Sequence, residues 1–203
     1  MVGVSDILAA SRASFDGGEV MIKRKQRIPM LDLSTLSGED AETAVKHRVN
    51  GRDLNLFKIL MNHPTLVRRW TVFAGHVLRK QTLPAREREL LILRIGWLNQ
   101  AEYEWAQHVE IAKREGITEA EIERVKAGPT GGWGGDDAVL LQAVDDLYEH
   151  SVVSDATWVS LAKKYSTEQM IDLVFTIGQY NLVSWALNSF GVPLDDYLPG
   201  ARK

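Results

Sequence analysis

Apolar residues recur at helical spacing along most of this 203-residue chain. Residues 53–62 carry apolar side chains three and four positions apart, the period of a helix with one buried face. Pro64, Pro84 and the capping-box residues Thr118 and Ser166 mark four helix starts. No segment alternates apolar and polar residues as a strand would. The pattern predicts an all-α protein of about seven to eight helices, over residues 53–62, 64–80, 84–98, 101–115, 118 onward, 137–149, 155–164 and 166–190.

Two of these helices are too apolar to lie entirely at the surface. Residues 90–98 contain one charge, Arg94, so this helix belongs near the centre of the fold. The last helix carries charges only at Glu168 and Asp172, and its later polar residues form two stripes. At least one stripe is therefore buried, either as ordinary amides bonded to neighbouring loops or as the lining of a pocket or subunit contact. The stripes are Asp172, Thr176 and Gln179, and Asn181, Ser184 and Asn188.

A histidine points towards the core from the helix over residues 101–115. On a helical wheel, His108 shares a narrow arc with Ala101, Trp105 and Ala112, and Glu104 lies one turn earlier at the edge of that face. A partly buried carboxylate beside an imidazole is a candidate proton-transfer pair, because burial and mutual charge shift both pKa values. The alternative is structural, since Glu–His pairs four residues apart often only stabilise a helix.

The preceding helix adds another buried carboxylate, Glu89, in an otherwise apolar segment. A carboxylate there needs a charged or hydrogen-bonding partner. Because the chain turns near residues 99–100 and the two helices run antiparallel, we expect Glu89 beside the His108 pocket. Arg86 and Arg94 are candidate partners for Glu89 or for a substrate anion. The alternative is that Glu89 forms only a cap or ion pair at the start of its helix.

Composition excludes several classes of function. Lysine and arginine number 24 and aspartate and glutamate 27, a net charge of −3 that disfavours binding to nucleic acid or an anionic membrane. The absence of cysteine removes disulfides, thiolate nucleophiles and cysteine-ligated metals, and the histidines lack metal-site spacing, so no metal is expected. No stretch reaches the ~20 apolar residues of a transmembrane helix, and the first residues lack the pattern of a signal peptide. We therefore expect a cytoplasmic protein.

The helices around Glu89 and His108 carry a recognisable set of segments: Glu-Leu-Leu-Ile-Leu-Arg-Ile from residue 89, Ala-Glu-Tyr-Glu-Trp-Ala-Gln-His from residue 101, Gly-Ile-Thr from residue 116 and Glu-Ile from residue 121. Together they resemble the carboxymuconolactone decarboxylase family, whose superfamily includes alkyl hydroperoxidase D. The resemblance is clear over residues 50–128 and continues to Phe190. We expect a single helical domain over residues 28–203, preceded by a loosely ordered extension over residues 1–27.

The resemblance implies an all-helical fold of the alkyl hydroperoxidase D type, a pocket at or near subunit contacts, and a homo-oligomer, such as a trimer, hexamer or dimer. The decarboxylase branch uses no metal or organic cofactor, and Glu104 and His108 match its Glu-x-x-x-His pattern. The peroxidase branch uses a Cys-x-x-Cys pair, whose positions fall here at Ala101 and Glu104. Thiol peroxidase activity is therefore not expected.

The favoured hypothesis is a cofactor-independent lyase of decarboxylase type that acts by carboxylate–imidazole proton transfer on a small carboxylated or lactone substrate, such as an aromatic catabolite. His108 is the predicted acid or oxyanion donor, Glu104 its orienting group or proton relay, and Glu89 the third polar group of the pocket. Two alternatives stay open: a non-catalytic ligand-binding or oligomeric protein of the same fold, and an antioxidant protein without the thiol pair. The predicted substrate contacts are Arg86, Arg94, Tyr103, Trp97 and Trp105.

Overall fold

The computed structural model describes residues 21–201, and helices make up most of this part of the chain. It contains no strand; a single isolated β-bridge joins Val49 and Arg52. The prediction of an all-α protein is confirmed. The described helices are α1 (Gly38–Lys46), α2 (Asn55–Leu60), α3 (Pro64–Arg79), α4 (Ala85–Leu98), α5 (Glu102–Arg114), α6 (Glu119–Lys126), α7 (Asp136–His150), α8 (Asp155–Leu161) and α9 (Thr167–Phe190), with short 3₁₀ helices at Leu33–Thr35 and Gly128–Thr130.

Most helices begin and end where the sequence predicts. Thr118 and Ser166 each cap the following helix through a complete capping box, with Glu121 and Gln169 as partners. Helix α9 ends at Gly191, whose φ of 65° lies in the left-handed region that glycine adopts readily. No helix between residues 21 and 201, α9 included, combines the length and apolarity needed to span a bilayer.

Helix α1 is missing from the sequence-based predictions because it is only nine residues long and its apolar residues are limited to Ala41, Ala44 and Val45. Glu39 and Asp40 occupy its first turn and Lys46 its last, which suits the helix dipole. Only Thr43 and Ala44 are buried, so the apolar pattern is too weak to identify the helix. Contacts with α3 stabilise α1 in the fold, and the C-terminal end of α1 lies at a large cavity.

Helix α4 lies at the centre of the fold, as its apolar sequence predicts. Its residues from Glu87 to Gly96 are all buried, and it packs against α5, α7 and α9. One hydrophobic cluster joins α4 to α7 and α9, and a second joins it to α5, α6 and α7. This central position carries the carboxylate of Glu89 into the interior, next to the helix that bears His108.

The extension predicted over residues 1–27 lies mostly outside the described residues. Its described end is attached to the domain, because the N–H of Arg27 donates to the carbonyl of Phe190 at 2.8 Å. The backbone of Lys25 lies so close to Gly191 that no side chain would fit there. Lys25 and Arg27 therefore pack against the end of α9.

Candidate active site

A cavity of about 820 Å³ opens between α3, α5 and α9. Four of its polar lining residues, Glu104, His108, Gln179 and Tyr180, are more than nine-tenths buried. The chain between α1 and α2 and the C-terminal segment around Tyr197 close the remaining sides. Its size suits a small molecule. The apolar lining includes Phe57, Trp70, Leu78, Ile111, Val183 and Leu187.

The buried carboxylate of Glu89 fixes the position of the His108 ring. The Nδ1 atom of His108 lies 2.7 Å from Oε2 of Glu89, and Oε1 of Glu89 accepts a hydrogen bond from Nε of Arg88 at 2.9 Å. Burial acts to raise the pKa of Glu89, but the charges and hydrogen bonds of His108 and Arg88 outweigh it and lower the pKa below its usual value. Glu89 is therefore a carboxylate that accepts the Nδ1–H of His108.

The pairing of Nδ1 leaves Nε2 as the nitrogen of His108 that is available to a ligand. The ring of His108 also meets the ring of Tyr180 edge to face, with 4.8 Å between centroids, so contacts on two sides fix the imidazole. Burial, and then the neighbouring carboxylate of Glu89, raise the pKa of Tyr180 well above its usual value. The phenol of Tyr180 thus stays protonated and is a hydrogen-bond donor at the cavity wall.

Glu104 is a second buried carboxyl group of the cavity. Its Oε1 accepts a hydrogen bond from Oγ of Ser184 at 3.0 Å, whereas Oε2 has no hydrogen-bond partner among the described residues. A Cβ on Gly96 would lie 3.0 Å from Oε1, so glycine at this position gives the carboxyl group room. Burial raises the pKa of Glu104 well above its usual value, against a smaller opposing effect of Ser184. The uncharged carboxyl group therefore has a proton to donate from Oε2.

Replacement of Glu104 by glutamine is expected to stabilise the fold increasingly as the pH rises. The folded-state pKa lies above the ordinary value of 4.5, so between these values Glu104 ionises only in the unfolded chain and wild-type stability falls with rising pH. The Glu104→Gln variant lacks this dependence. We expect its free energy of unfolding, relative to the wild type, to rise by up to about 1.4 kcal/mol per pH unit in that window, measured by urea unfolding from about pH 4 to pH 8.

The matched control is Glu123→Gln on α6, whose side chain is 69% exposed. Its stability relative to the wild type should vary far less over the same pH range, because an exposed carboxylate keeps nearly the same environment on unfolding. A Glu104→Gln difference that stays constant or decreases with rising pH contradicts an uncharged Glu104.

Gln179 is a functional candidate that the sequence places only within a polar stripe. Its Oε1 is buried without a hydrogen-bond partner in the described part of the chain, an arrangement that costs free energy until a ligand or water bonds to it. Tyr180, which neighbours it in the cavity wall, carries no signal in the sequence, because a tyrosine in an apolar helix most often only packs. Both residues were absent from the sequence-predicted site.

The two polar stripes of α9 serve both purposes that the sequence leaves open. Asp172 accepts two hydrogen bonds of 2.7 Å from the loop before α4, and Asn188 donates to the carbonyl of Asn99 at 2.8 Å; these contacts are structural. Gln179, on the first stripe, lines the cavity, and Ser184, on the second, holds Glu104. Each stripe therefore combines structural contacts with a contribution to the site.

The predicted pairing of Glu104 with His108 does not occur as a hydrogen bond. His108 bonds to Glu89 across the antiparallel α4–α5 pair, whereas Glu104 turns towards Ser184 on α9. A helical wheel identifies the face that a side chain occupies, but it does not select among partners on neighbouring helices. Glu104 and His108 therefore reach the same cavity with separate supports.

Arg86 and Arg94 do not line the cavity, in contrast to their predicted role as anion contacts. Arg86 donates two hydrogen bonds to Asp137, at 3.0 and 2.9 Å, and one to Glu121 at 2.6 Å. Arg94 donates two to Asp145, at 2.6 and 2.8 Å, and others to two backbone carbonyls at the end of α6. These bonds occupy both guanidinium groups within the fold.

The predicted aromatic contacts divide between the cavity and its exterior. Trp97 and Trp105 lie outside it, where their ring centroids are 5.3 Å apart and Lys126 covers both rings. Tyr103 does line the cavity, but its hydroxyl donates to Asp195 at 2.6 Å. Tyr103 therefore forms part of the cavity wall, but its hydroxyl is already hydrogen-bonded to Asp195.

The cavity assembles groups suited to proton transfer. It presents an uncharged carboxyl, an imidazole nitrogen, a phenol and an amide within one largely apolar enclosure. Among residues 21–201, no three potential metal ligands form a cluster. The arrangement can donate hydrogen bonds to a developing oxyanion and deliver a proton to carbon.

Comparison with known proteins agrees with the resemblance seen in the sequence. The model of the carboxymuconolactone decarboxylase family matches residues 64–145, a segment that contains Glu89, Glu104 and His108. This match confirms the predicted resemblance. No curated protein matches the chain.

The fold is that of alkyl hydroperoxidase D-like proteins. An uncharacterised peroxidase-related protein with the alkylhydroperoxidase AhpD core, from Ralstonia eutropha JMP134, gives a TM-score of 0.75 at 18% identity, covering 84% of this chain and 92% of its own. An uncharacterised peroxidase-related protein from Silicibacter sp. TM1040 gives 0.70 at 13% identity, covering 90% and 99%. A protein of unknown function from Agrobacterium tumefaciens gives 0.62 at 18% identity, covering 67% and 94%. At these identities the likeness concerns the fold alone.

Proposed function

We propose that this chain, which has the alkyl hydroperoxidase D-like fold and a segment matching the carboxymuconolactone decarboxylase family, is a cofactor-independent lyase of decarboxylase type. Its substrate is a small carboxylated or lactone compound bound in the cavity between α3, α5 and α9. One observation carries the proposal: the uncharged Glu104 and the Glu89-held His108 line the same cavity.

The reaction requires the protein to stabilise a developing oxyanion and to protonate a carbon atom. In an unsaturated lactone that bears a carboxylate, the bond to the carboxylate carbon breaks, CO₂ leaves, and the electron pair enters the conjugated lactone as a dienolate. Oε2 of Glu104 and the phenol of Tyr180 are donors for the oxygen on which this charge develops. His108, held at Nδ1 by Glu89 and protonated at both ring nitrogens, then delivers the Nε2 proton to carbon and becomes a neutral imidazole. One proton is consumed per CO₂ released, and solvent returns it to His108.

Peroxidase chemistry does not transfer from the structural neighbours to this chain. A thiol peroxidase needs a thiolate nucleophile, and the sequence contains no cysteine. The resemblance places the two thiol positions at Ala101, which is fully buried, and at Glu104. A carboxyl group therefore occupies the cavity where the peroxidase branch has a thiol, which favours proton transfer over redox chemistry.

Two assays run side by side test the proposal. The protein is incubated with carboxymuconolactone and a panel of related carboxylated lactones, and CO₂ release is measured. A parallel sample receives cumene hydroperoxide without a thiol carrier, and peroxide loss is measured. We expect CO₂ release and no peroxide loss. Peroxide consumption, or lactone binding without CO₂ release, contradicts the proposal, and the latter supports a ligand-binding protein of the same fold.

We also propose that the protein is a homo-oligomer that associates through an apolar face on α3 and α9. Phe73 and Phe175 meet edge to face there, with 6.0 Å between ring centroids. From residue 173 to residue 190, α9 carries no charged residue that would favour solvent or a charged partner. A second copy presenting the same apolar face suits such a surface. The exposed residues of this α3–α9 apolar face are Leu66, Val72, Phe73, Phe175, Leu182 and Trp185.

Trp185→Glu is expected to dissociate the oligomer, because it places a charge within the α3–α9 apolar face, where Trp185 is 57% exposed in the single chain. Sedimentation velocity measures the mass of wild type and variant. Trp158→Glu on α8, where the side chain is similarly exposed at 44%, should keep the wild-type mass. A monomeric wild type, or a Trp185→Glu variant with the wild-type mass, contradicts this association.

A further inference from the structure

The mouth of the cavity carries an excess of positive charge. Among the residues that line the cavity, the carboxyl groups are Glu104, which burial keeps uncharged, and Glu110. The whole chain has a net charge of −3, so this excess belongs to the cavity and is not a general property of the surface. The basic lining residues are Lys46, Arg48, Arg52, Arg79, Lys113 and Arg114.

Four of these six cations, Lys46, Arg52, Arg79 and Arg114, form no ion pair within the described part of the chain. Arg48 pairs with Asp53 at 2.6 Å, and Lys113 pairs with Glu119 at 3.0 Å. Lys46 and Arg79, in contrast, form no ion pair with any residue that the structure describes. Each is the last residue of its helix, α1 and α3 respectively, so packing of the two helices brings both charges to the cavity.

His47 shows that both charges act on one part of the cavity. Its ring lines the cavity and stacks on Phe57, with 4.5 Å between centroids and 9° between planes. Burial, followed by the charges of Arg79 and Lys46, lowers the pKa of His47. An anion bound beside His47 would therefore meet two cations and an uncharged imidazole.

The inner end of the cavity presents uncharged polar groups instead of cations. Gln179 and Glu104 both line the cavity, and Oε1 of Gln179 and Oε2 of Glu104 are buried without hydrogen-bond partners among residues 21–201. The two side chains are 4% and 2% exposed. A ligand hydroxyl or enol can donate a hydrogen bond to Oε1 of Gln179 or accept one from the protonated carboxyl group of Glu104. Apolar side chains, including Trp70 and Val183, also line the cavity and suit an uncharged ligand body.

We propose that the cavity binds small amphiphilic carboxylates in one orientation, with the carboxylate at Lys46 and Arg79 and an oxygen-bearing, uncharged end at Glu104 and Gln179. The inference rests on the proposed function and deepens it. It assigns the carboxylate at the mouth of the cavity as a group that the substrate retains during the reaction, distinct from the carboxylate that leaves as CO₂. Bond cleavage then takes place at the inner end, beside His108. The ligand class is an unsaturated or aromatic compound with a carboxylate at one end and an oxygen function at the other.

Calorimetric titration with two probes tests this orientation. The probes are 3-(4-hydroxyphenyl)propionate and its primary amide, which share the hydroxyl and differ in charge. We expect the carboxylate to bind roughly tenfold more tightly than the amide, and this preference to decrease as salt is added. The Lys46→Gln/Arg79→Gln double variant should lose the preference while its Kd for the amide stays within about twofold of the wild-type value.

Two further variants separate the ends of the site. Gln179→Leu should weaken both probes by a similar factor, because both carry the hydroxyl. Arg69→Gln removes an exposed charge from the same helix as Arg79 but outside the cavity lining, so both Kd values should stay unchanged. Melting temperatures establish that the variants are folded.

Equal wild-type affinity for the two probes overturns the proposal. So does binding of neither probe in the millimolar range, or a carboxylate preference that survives in the double variant. Because the probes report binding without turnover, this result is separate from the proposed reaction. A carboxylate preference without CO₂ release from any lactone supports the binding orientation and contradicts only the lyase function.

Discussion

His108→Ala is expected to lower kcat for CO₂ release from carboxymuconolactone by about 10³-fold, a typical contribution of a positioned general acid or base. The variant loses the imidazole whose Nε2 faces the ligand, while Glu89 keeps its hydrogen bond to Arg88. The fold should therefore survive, as circular dichroism and a melting curve will show. Added imidazole should restore part of the rate by occupying the space that the side chain leaves.

The matched control is His150→Ala at the end of α7, where the side chain is 64% exposed and remote from the cavity lining. Its kcat should equal the wild-type value. If the His108→Ala variant keeps more than about one tenth of wild-type kcat, His108 is not the proton-transfer residue.

Glu89→Ala is expected to cause the largest loss of stability among single substitutions at the site, about 3–5 kcal/mol in the free energy of unfolding. Glu89 is 0% exposed and bonds to both His108 and Arg88. Its removal leaves two cationic or polar groups in the interior without their counter-charge. Urea unfolding at neutral pH measures the loss, and Glu89→Gln, which keeps the shape and one acceptor, should lose less.

Glu123→Ala is the control for this effect, since it removes a largely exposed carboxylate that pairs with Lys126. Exposed ion pairs contribute little, so we expect a change below about 1 kcal/mol. If Glu89→Ala costs no more than Glu123→Ala, the buried pair does not support His108 as described.

The sequence predicts the parts of this protein that depend on local pattern. Helix starts follow from capping boxes and prolines, and the central position of α4 follows from its apolar sequence. The proximity of Glu89 and His108 also follows, because a short turn makes α4 and α5 antiparallel neighbours. Each of these features depends on residues close together along the chain.

Features that depend on distant residues were not predictable. Arg86 and Arg94 have the chemistry of anion contacts, but Asp137 and Asp145, about fifty positions further along, bind them within the fold. Two cations of the cavity mouth, Lys46 and Arg79, instead come from the ends of α1 and α3, and their positions depend on the packing of α1, a helix with few apolar residues. Periodicity identifies the buried face of a helix, but the partner on that face is a property of the assembled fold.

The central claim is that His108 transfers a proton to carbon while Glu104 donates a hydrogen bond to the oxyanion. Its most direct test is proton NMR of the lactone reaction in D₂O. We predict that the wild-type protein releases CO₂ and that the lactone product carries one deuteron at a carbon of the former dienolate. A His108→Ala/Glu104→Gln double variant should form this product at least about 10³-fold more slowly. Formation of the product at the wild-type rate by the double variant, or no product with the wild-type protein, contradicts the claim.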